Sequence, residues 1–145
     1  PDGNLNRPEL GNIIFCNPAE RQWLEQQIHP YVRRRLVEET KRCIAALNLV
    51  SQNTLTVVLV VPLLFEANMT DLCTEIWVVY CSPEVQLQRL MQRDGLSRDR
   101  ANARINTQLP IDQKCQKADF VLDNSSTLDS LFLQIDAHIS HRFSL

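Results

Sequence analysis

Between Arg89 and Gln108 the chain reads RLMQRDGLSRDRANARINTQ, which sets five arginines in two short helical segments joined by an Asp94-Gly95 turn. Arg89 and Arg93 are four residues apart, as are Arg100 and Arg104, so each pair shares one helix face. Like charges at that spacing repel by a few tenths of a kcal/mol (about 0.2–0.5). No Asp or Glu lies three or four residues from Arg89 or Arg104, and Arg93 and Arg100 have none within their own helices. Guanidinium groups left in this way are held ready for an external anion, and phosphate suits their forked donors best. A solvated basic face is the alternative for any arginine-rich helix, and here the flanking sequence weighs against it.

Three further constellations could carry chemistry. Pro62-Leu63-Leu64-Phe65-Glu66 directly follows an apolar β-branched run, where ligands sit in open α/β sheets; Glu66 there could contact substrate or a metal's water, or simply be solvated. His29-Pro30-Tyr31-Val32-Arg33 places a histidine at an expected helix N-terminus, where backbone N–H groups also favour an anion, although a lone His is more often structural. Asp123-Asn124-Ser125 follows the last expected strand and could present an amide to a base or ribose, or act as an ordinary turn. No Ser-His-Asp order, Cys/His metal spacing or aromatic platform for single strands stands out.

These residues need elements to position them. Asn6 and Glu9 bracket Pro8 in a capping-box-like arrangement that opens a short helix through Leu10, Ile13 and Ile14. Asn17-Pro18-Ala19-Glu20 repeats the device, opening a helix with Trp23, Leu24 and Ile28 on one side. That helix is expected to break near His29, because a residue before proline is pushed out of the α region. A second helix then runs from Pro30 to about Leu47, with Val32, Leu36, Ile44 and Leu47 on its buried face. Leu55–Val61 and Ile76–Cys81 read as strands buried on both faces, the mark of a parallel sheet, and Asp119–Leu122 as a shorter third strand. Ser82-Pro83 caps the helix bearing Arg89 and Arg93, Gly95 ends it, and Ser97 starts the next, which stops before Pro110. From about Ser126 a last helix carries the stripe Leu128, Leu131, Phe132, Ile135 and Ile139. Helices alternating with apolar strands predict an α/β fold with a parallel sheet and flanking helices. Three strands make a small sheet for this length, which hints at lost strands.

Composition bounds the rest. The 145 residues suffice for one domain with a real core, with 44% hydrophobic and 22% charged residues. A formal net charge of -2 excludes whole-molecule electrostatic binding of nucleic acid, and no apolar run is long enough for a membrane span. Five cysteines without metal spacing are expected to be reduced, mostly buried thiols in a cytoplasmic protein. The three glycines, Gly3, Gly11 and Gly95, build no GxxxxGK[ST] loop. The chain begins at Pro1 rather than Met, which reads as a missing natural N-terminus.

Taken in order, DGNLNRPELGNIIF, NPAERQWLEQQIHPYVR, VVLVVPLLFE, WVVYCSPEVQLQRLMQRDGLSRDRANARINTQ and KADFVLDNSSTLDSL resemble dephospho-coenzyme A kinase, a family of P-loop nucleotide kinases, over nearly the whole chain. HPxVR, VPLLFE, QRLMQRDGLS and ADFVLDN in this order are highly specific together. The resemblance implies a P-loop kinase-like sheet and ATP- and Mg²⁺-dependent phosphorylation of the ribose 3′-hydroxyl of dephospho-CoA, with catalysis mostly by positioning and charge neutralisation. It implies that residues 89–109 form a mobile arginine-rich lid, that 1–50 form a helical acceptor-binding region, and that 51–88 and 110–145 form the α/β core of a single domain. Within the lid it implies catalytic phosphate contacts from Arg93 and Arg104, with Arg89, Arg100 and Gln108 next. It implies that Asp123, Asn124 and Ser125 border the adenine site, and that His29, Arg33, Pro62, Leu63, Leu64 and Glu66 face the acceptor. No residue here is expected to ligate a metal. The family's first strand, its Walker A loop and the acidic residue after its second strand precede the point where this chain begins. The expectation is therefore a sheet with a central gap and 145 residues that alone transfer no phosphate. The other readings are a second kind of small-molecule P-loop kinase and a non-catalytic nucleotide- or CoA-binding module.

Overall fold

A computed structural model describes residues 3–48 and 56–143. The chain divides into two compact units, Pro1–Cys73 and Thr74–Leu145.

In the first unit, helix α1 (Arg7–Cys16) is opened by Asn6, whose Oδ1 accepts from the Glu9 backbone N–H while its Nδ2 donates to the Glu9 carboxylate at 2.9 Å. Asn17 then works twice. Its backbone N–H closes α1 onto the Ile13 carbonyl, and its side-chain oxygen accepts from Ala19 N–H at 3.0 Å to open helix α2 (Pro18–Asn48). Helix α1 packs on α2.

Helix α2 runs through Pro30 without the expected break at His29. A proline costs the helix one donor and disfavours, without forbidding, the α conformation of the residue before it. Here Arg21–Glu25 precedes Pro30, and Arg34–Glu38 and Arg35–Glu39 follow it, ion pairs at the four-residue spacing that supports helix on both sides. Of the face expected to be buried, Val32 and Leu36 are half-buried, whereas Ile44 is exposed and the side chain of Leu47 lies outside the described residues. Trp23 and Ile28 are exposed as well.

The run expected as the first strand has no regular secondary structure over residues 56–61, Leu55 lying outside the described residues, and it enters no sheet among them. Val58 and Val60 stand 78% and 85% exposed instead of buried. β-branched residues favour an extended backbone, yet a strand exists only when a neighbour takes its N–H and C=O groups. Successive turns follow: Ala67 N–H reaches the Leu63 carbonyl at 2.9 Å and Met69 N–H the Leu64 carbonyl at 2.9 Å. Asn68 takes the left-handed conformation (φ 51°), which asparagine tolerates better than most side chains, and this drives Met69 inward to 2% exposure. A single 3-10 turn, Thr70–Leu72, completes the unit.

The second unit is α/β. Strands β1 (Trp77–Tyr80) and β2 (Phe120–Asp123) pair in parallel, Trp77 opposite Phe120 through Tyr80 opposite Asp123. Between them run α3 (Pro83–Asp94), α4 (Arg98–Ile105) and the short α5 (Ile111–Cys115), and α6 (Leu128–Phe143) follows. Ser82 and Ser97 cap α3 and α4 as expected, and Gly95 ends α3 in the left-handed conformation (φ 64°). The core is small: Val78 and Leu122 from the sheet, Leu87 from α3 and Ala101 from α4. The base of α6 is tied in by Glu75, whose Oε1 accepts from His138 Nε2 at 3.1 Å and from the Trp77 indole N–H, while the His138 ring stacks on Phe120. The five cysteines are free thiols but not buried: Cys16 and Cys43 are exposed and the others half-buried.

Candidate functional site

Each unit carries one cluster of the residues singled out by the sequence. In the second unit, the arginines do not lack internal counterions. Asp94, the last residue of α3, receives Arg93 Nε on Oδ1 at 2.7 Å and Arg93 Nη2 on Oδ2 at 3.1 Å. The same Oδ2 receives Arg104 Nη1 at 2.5 Å from α4. The expectation failed because it looked only three and four residues along each helix. Asp94 is adjacent to Arg93 in sequence, and the reversal at Gly95 folds α4 back so that Arg104, ten residues on, meets the same carboxylate. The two guanidiniums pull the Asp94 carboxyl below its ordinary range, Arg93 contributing most, and Asp94 raises Arg93 in return. Arg100 is exposed and has no side-chain partner among the described residues.

Arg89, one turn before Arg93, donates through Nη1 to the Asn124 carbonyl at 2.7 Å. It thereby brings α3 to the turn after β2. That turn is fixed from three sides: Asn124 N–H donates to the Tyr80 carbonyl at 2.7 Å, Gln134 of α6 bonds both backbone groups of Asp123 at 2.9 Å, and Ser125 N–H donates to Asp123 Oδ1 at 2.8 Å. The contact with Ser125 lowers the Asp123 pKa. Gln108 accepts through Oε1 from Lys114, a lysine only 9% exposed, at 3.5 Å. Arg89, Arg93, Arg104, Gln108 and Asp123–Ser125 are thus all held by contacts within one unit.

In the first unit, a cleft of about 490 Å³ is lined by His29, Pro30 and Arg33 of α2 and by Ala67, Asn68, Met69 and Asp71. His29 and Arg33, four residues apart in the unbroken α2, share one helix face, so His29 does not stand at the helix N-terminus expected for it. Arg33 makes a two-pronged pair with Asp71, Nη1 to Oδ1 at 2.9 Å and Nη2 to Oδ2, which lowers the Asp71 pKa and raises that of Arg33. Pro62, Leu63, Leu64 and Glu66 do not line the cleft. They form the turn that carries Ala67–Met69 into it, with Pro62 exposed and the other three half-buried. Sequence reasoning missed Asp71, Asn68 and Met69 here, and Asp94 and Lys114 in the other unit. Asp94 had a usable signal: an acidic residue between Arg93 and the helix-ending Gly95 sits where both helices of a tight hairpin converge.

Among the described residues no group of three His, Cys, Asp or Glu side chains could hold a metal ion, and no helix is long and apolar enough to cross a membrane. The second-unit cluster sets two guanidiniums on one carboxylate and so keeps a net positive charge, whereas Arg33 and Asp71 in the first-unit cleft neutralise one another.

Comparison with known proteins identifies the family. The family model described as dephospho-CoA kinase matches residues 1–130. The dephospho-CoA kinase of Trichormus variabilis is 54% identical over 136 residues, covering 94% of this chain and 65% of that protein. The dephospho-CoA kinase of Synechocystis sp. is 46% identical over 140 residues, covering 97% and 66%. Among solved structures, a Thermus thermophilus crystal structure superposes with a TM-score of 0.71 at 33% identity, covering 97% of this chain and 69% of that one. The dephospho-CoA kinase from Campylobacter jejuni superposes with a TM-score of 0.58 at 29% identity, covering 97% and 68%. The chain belongs to the dephospho-CoA kinase family. It spans about 65% of the length of the curated relatives it matches first.

Proposed function

We propose that the protein to which this chain belongs transfers the γ-phosphoryl group of ATP to the ribose 3′-hydroxyl of dephospho-CoA, giving ADP and coenzyme A. The observation that carries the reading is the family match over residues 1–130 together with the Arg93–Asp94–Arg104 cluster. Arg93 and Arg104 take the transferring phosphates, where the reaction spreads charge over non-bridging oxygens and fixed guanidiniums stabilise it. Arg89, Arg100 and Gln108 support them, and residues 89–109 act as a lid that excludes water from ATP. Asp123, Asn124 and Ser125 border the adenine. His29 and Arg33 in their cleft, backed by the Pro62–Glu66 turn, receive the acceptor, the diphosphate of dephospho-CoA pairing with Arg33. Residues 1–50 are thus the acceptor-binding region, and 51–88 with 110–145 the core.

Mg²⁺ prefers phosphate oxygens, water and one or two carboxylates to an all-protein cage, so in this reading it arrives on ATP. Once bound it would add charge neutralisation at the phosphates. The arginines of this chain supply theirs independently, as fixed charge. Free thiols and the absence of metal spacing support a reducing, cytoplasmic setting.

The test is product analysis on the full-length gene product with ATP, Mg²⁺ and a panel of acceptors: dephospho-CoA, adenosine, shikimate and a nucleoside monophosphate. The reading requires coenzyme A to form with one ADP per turnover, at a kcat/KM at least about 100-fold above any other acceptor. Preference for another acceptor would replace it with a different small-molecule kinase. Tight binding of nucleotide with no transfer would leave a binding module.

A further inference from the structure

Asp94 invites a question about its role. A carboxylate beside residues that bind phosphate would ordinarily repel the ligand, yet this one is built in between two helices. Its side chain is 23% exposed, against 37% for Arg104 and 69% for Arg93. The carboxylate is therefore the inner member of the cluster and the Arg93 guanidinium the outer one. The bonds are divided in the same sense. Asp94 engages only the Nε and Nη2 edge of Arg93, at 2.7 and 3.1 Å, and Arg93 Nη1 makes no bond to it. A guanidinium has five N–H donors in a planar fork, so the Nη1/Nη2 edge is left to meet an incoming phosphate in a second two-pronged contact. The turn at Gly95, whose N–H caps the Met91 carbonyl, sets the α3–α4 reversal on which the shared carboxylate depends.

We propose that Asp94 is a positioning residue: it gathers Arg93 of α3 and Arg104 of α4 onto one carboxylate, cancels part of their mutual repulsion, and turns the free edge of Arg93 outward to a polyphosphate. The proposal rests on the reading that these arginines bind ATP phosphates. It places Asp94 behind the guanidiniums as a permanent member of the site rather than as a competitor that the phosphate must displace. Of the three side chains that of Asp94 is the least exposed, and it leaves the Nη1/Nη2 edge of Arg93 unblocked.

The experiment uses the full-length gene product and two probes, ATP in steady-state kinetics and tripolyphosphate in calorimetry. The variants are Asp94→Asn, which keeps the shape and removes the charge, Asp94→Glu, Arg93→Ala, Arg104→Ala and Arg93→Ala/Asp94→Asn. We expect Asp94→Asn to weaken tripolyphosphate binding and raise the KM for ATP by about tenfold, as for loss of a charge-assisted orienting contact, with the acceptor KM unchanged. Asp94→Glu should recover part of the loss. In the Arg93→Ala background the Asp94→Asn effect should shrink to below about threefold, because the two act as a unit. Unchanged or tighter tripolyphosphate binding in Asp94→Asn would overturn the proposal, as would an effect of full size without Arg93. If Arg93→Ala and Arg104→Ala themselves left affinity unchanged, the phosphate reading would fall and the proposal with it. If they lowered affinity while Asp94→Asn did not, only the role of Asp94 would fall.

Discussion

Arg33→Ala offers a sharp separation of the two clusters. In the cleft of the first unit Arg33 holds Asp71 through both prongs of its fork, and the proposed function has it exchange that carboxylate for the diphosphate of the acceptor. The pair is accessible, with the side chains 40% and 61% exposed. Its loss should therefore barely affect folding, moving Tm by no more than about 2 °C. The effect on the acceptor should be much larger, because a charge-assisted, two-pronged contact to a diphosphate is worth about 10- to 100-fold in affinity. Arg33→Ala is thus expected to raise the KM for dephospho-CoA by about 10- to 100-fold and that for ATP by less than about twofold. Arg33→Lys retains the charge but not the planar fork and should recover less than half of the loss on a logarithmic scale. Initial rates with each substrate varied in turn, and a thermal melt for each variant, measure all three quantities. An unchanged acceptor KM, or equal changes in both KM values, would refute the assignment of this cleft to the acceptor.

Other expectations concern the scaffold and pH. Leu122→Ala removes a side chain only 5% exposed at the centre of β2 and should cost about 2–5 kcal/mol, read from denaturant melts. Gly95→Ala meets no atom within 4 Å but must hold φ at 64°, so its cost, about 1 kcal/mol, comes from the backbone alone. The Asp71 and Asp94 carboxyls are more acidic folded than unfolded, lowered first by Arg33 and Arg93 respectively. Their pairs therefore stabilise the fold above the ordinary carboxylate value of 3.8 and lose that contribution as pH falls through the lowered folded values. An acid titration of Asp71→Asn against the wild type should show the two converging only at the acid end.

The elements defined by local chemistry were legible. Asn6, Asn17, Ser82, Ser97 and Gly95 each mark a helix end that the structure bears out, because capping involves only neighbouring backbone groups. The two runs that pair as β1 and β2 were legible for the same reason, their β-branched and aromatic content. What failed required knowledge of partners. The run at 56–61 looks like a strand, but nothing in its own residues says what accepts its hydrogen bonds. The continuity of α2 through Pro30 was not legible because a proline disfavours, without forbidding, helix at and before its position. The short α5 went unread because five residues, Ile111–Cys115, carry too little periodicity. In the candidate sites the lid arginines were found from their spacing and Arg33 from the family resemblance, while the acidic residues that pair with them, Asp71 and Asp94, were not found. Asp71 lies 38 positions from Arg33, and only the fold brings them together.

The most direct test of the central claim is the kcat/KM for ATP of Arg93→Ala/Arg104→Ala in the full-length gene product. Two guanidiniums on one polyphosphate should together be worth about 10³- to 10⁴-fold in kcat/KM. The dependence of ATP affinity on salt should flatten as well. Wild-type kcat/KM and an unchanged salt dependence in a folded double variant would contradict the account, since the arginines gathered around Asp94 would then serve only the fold.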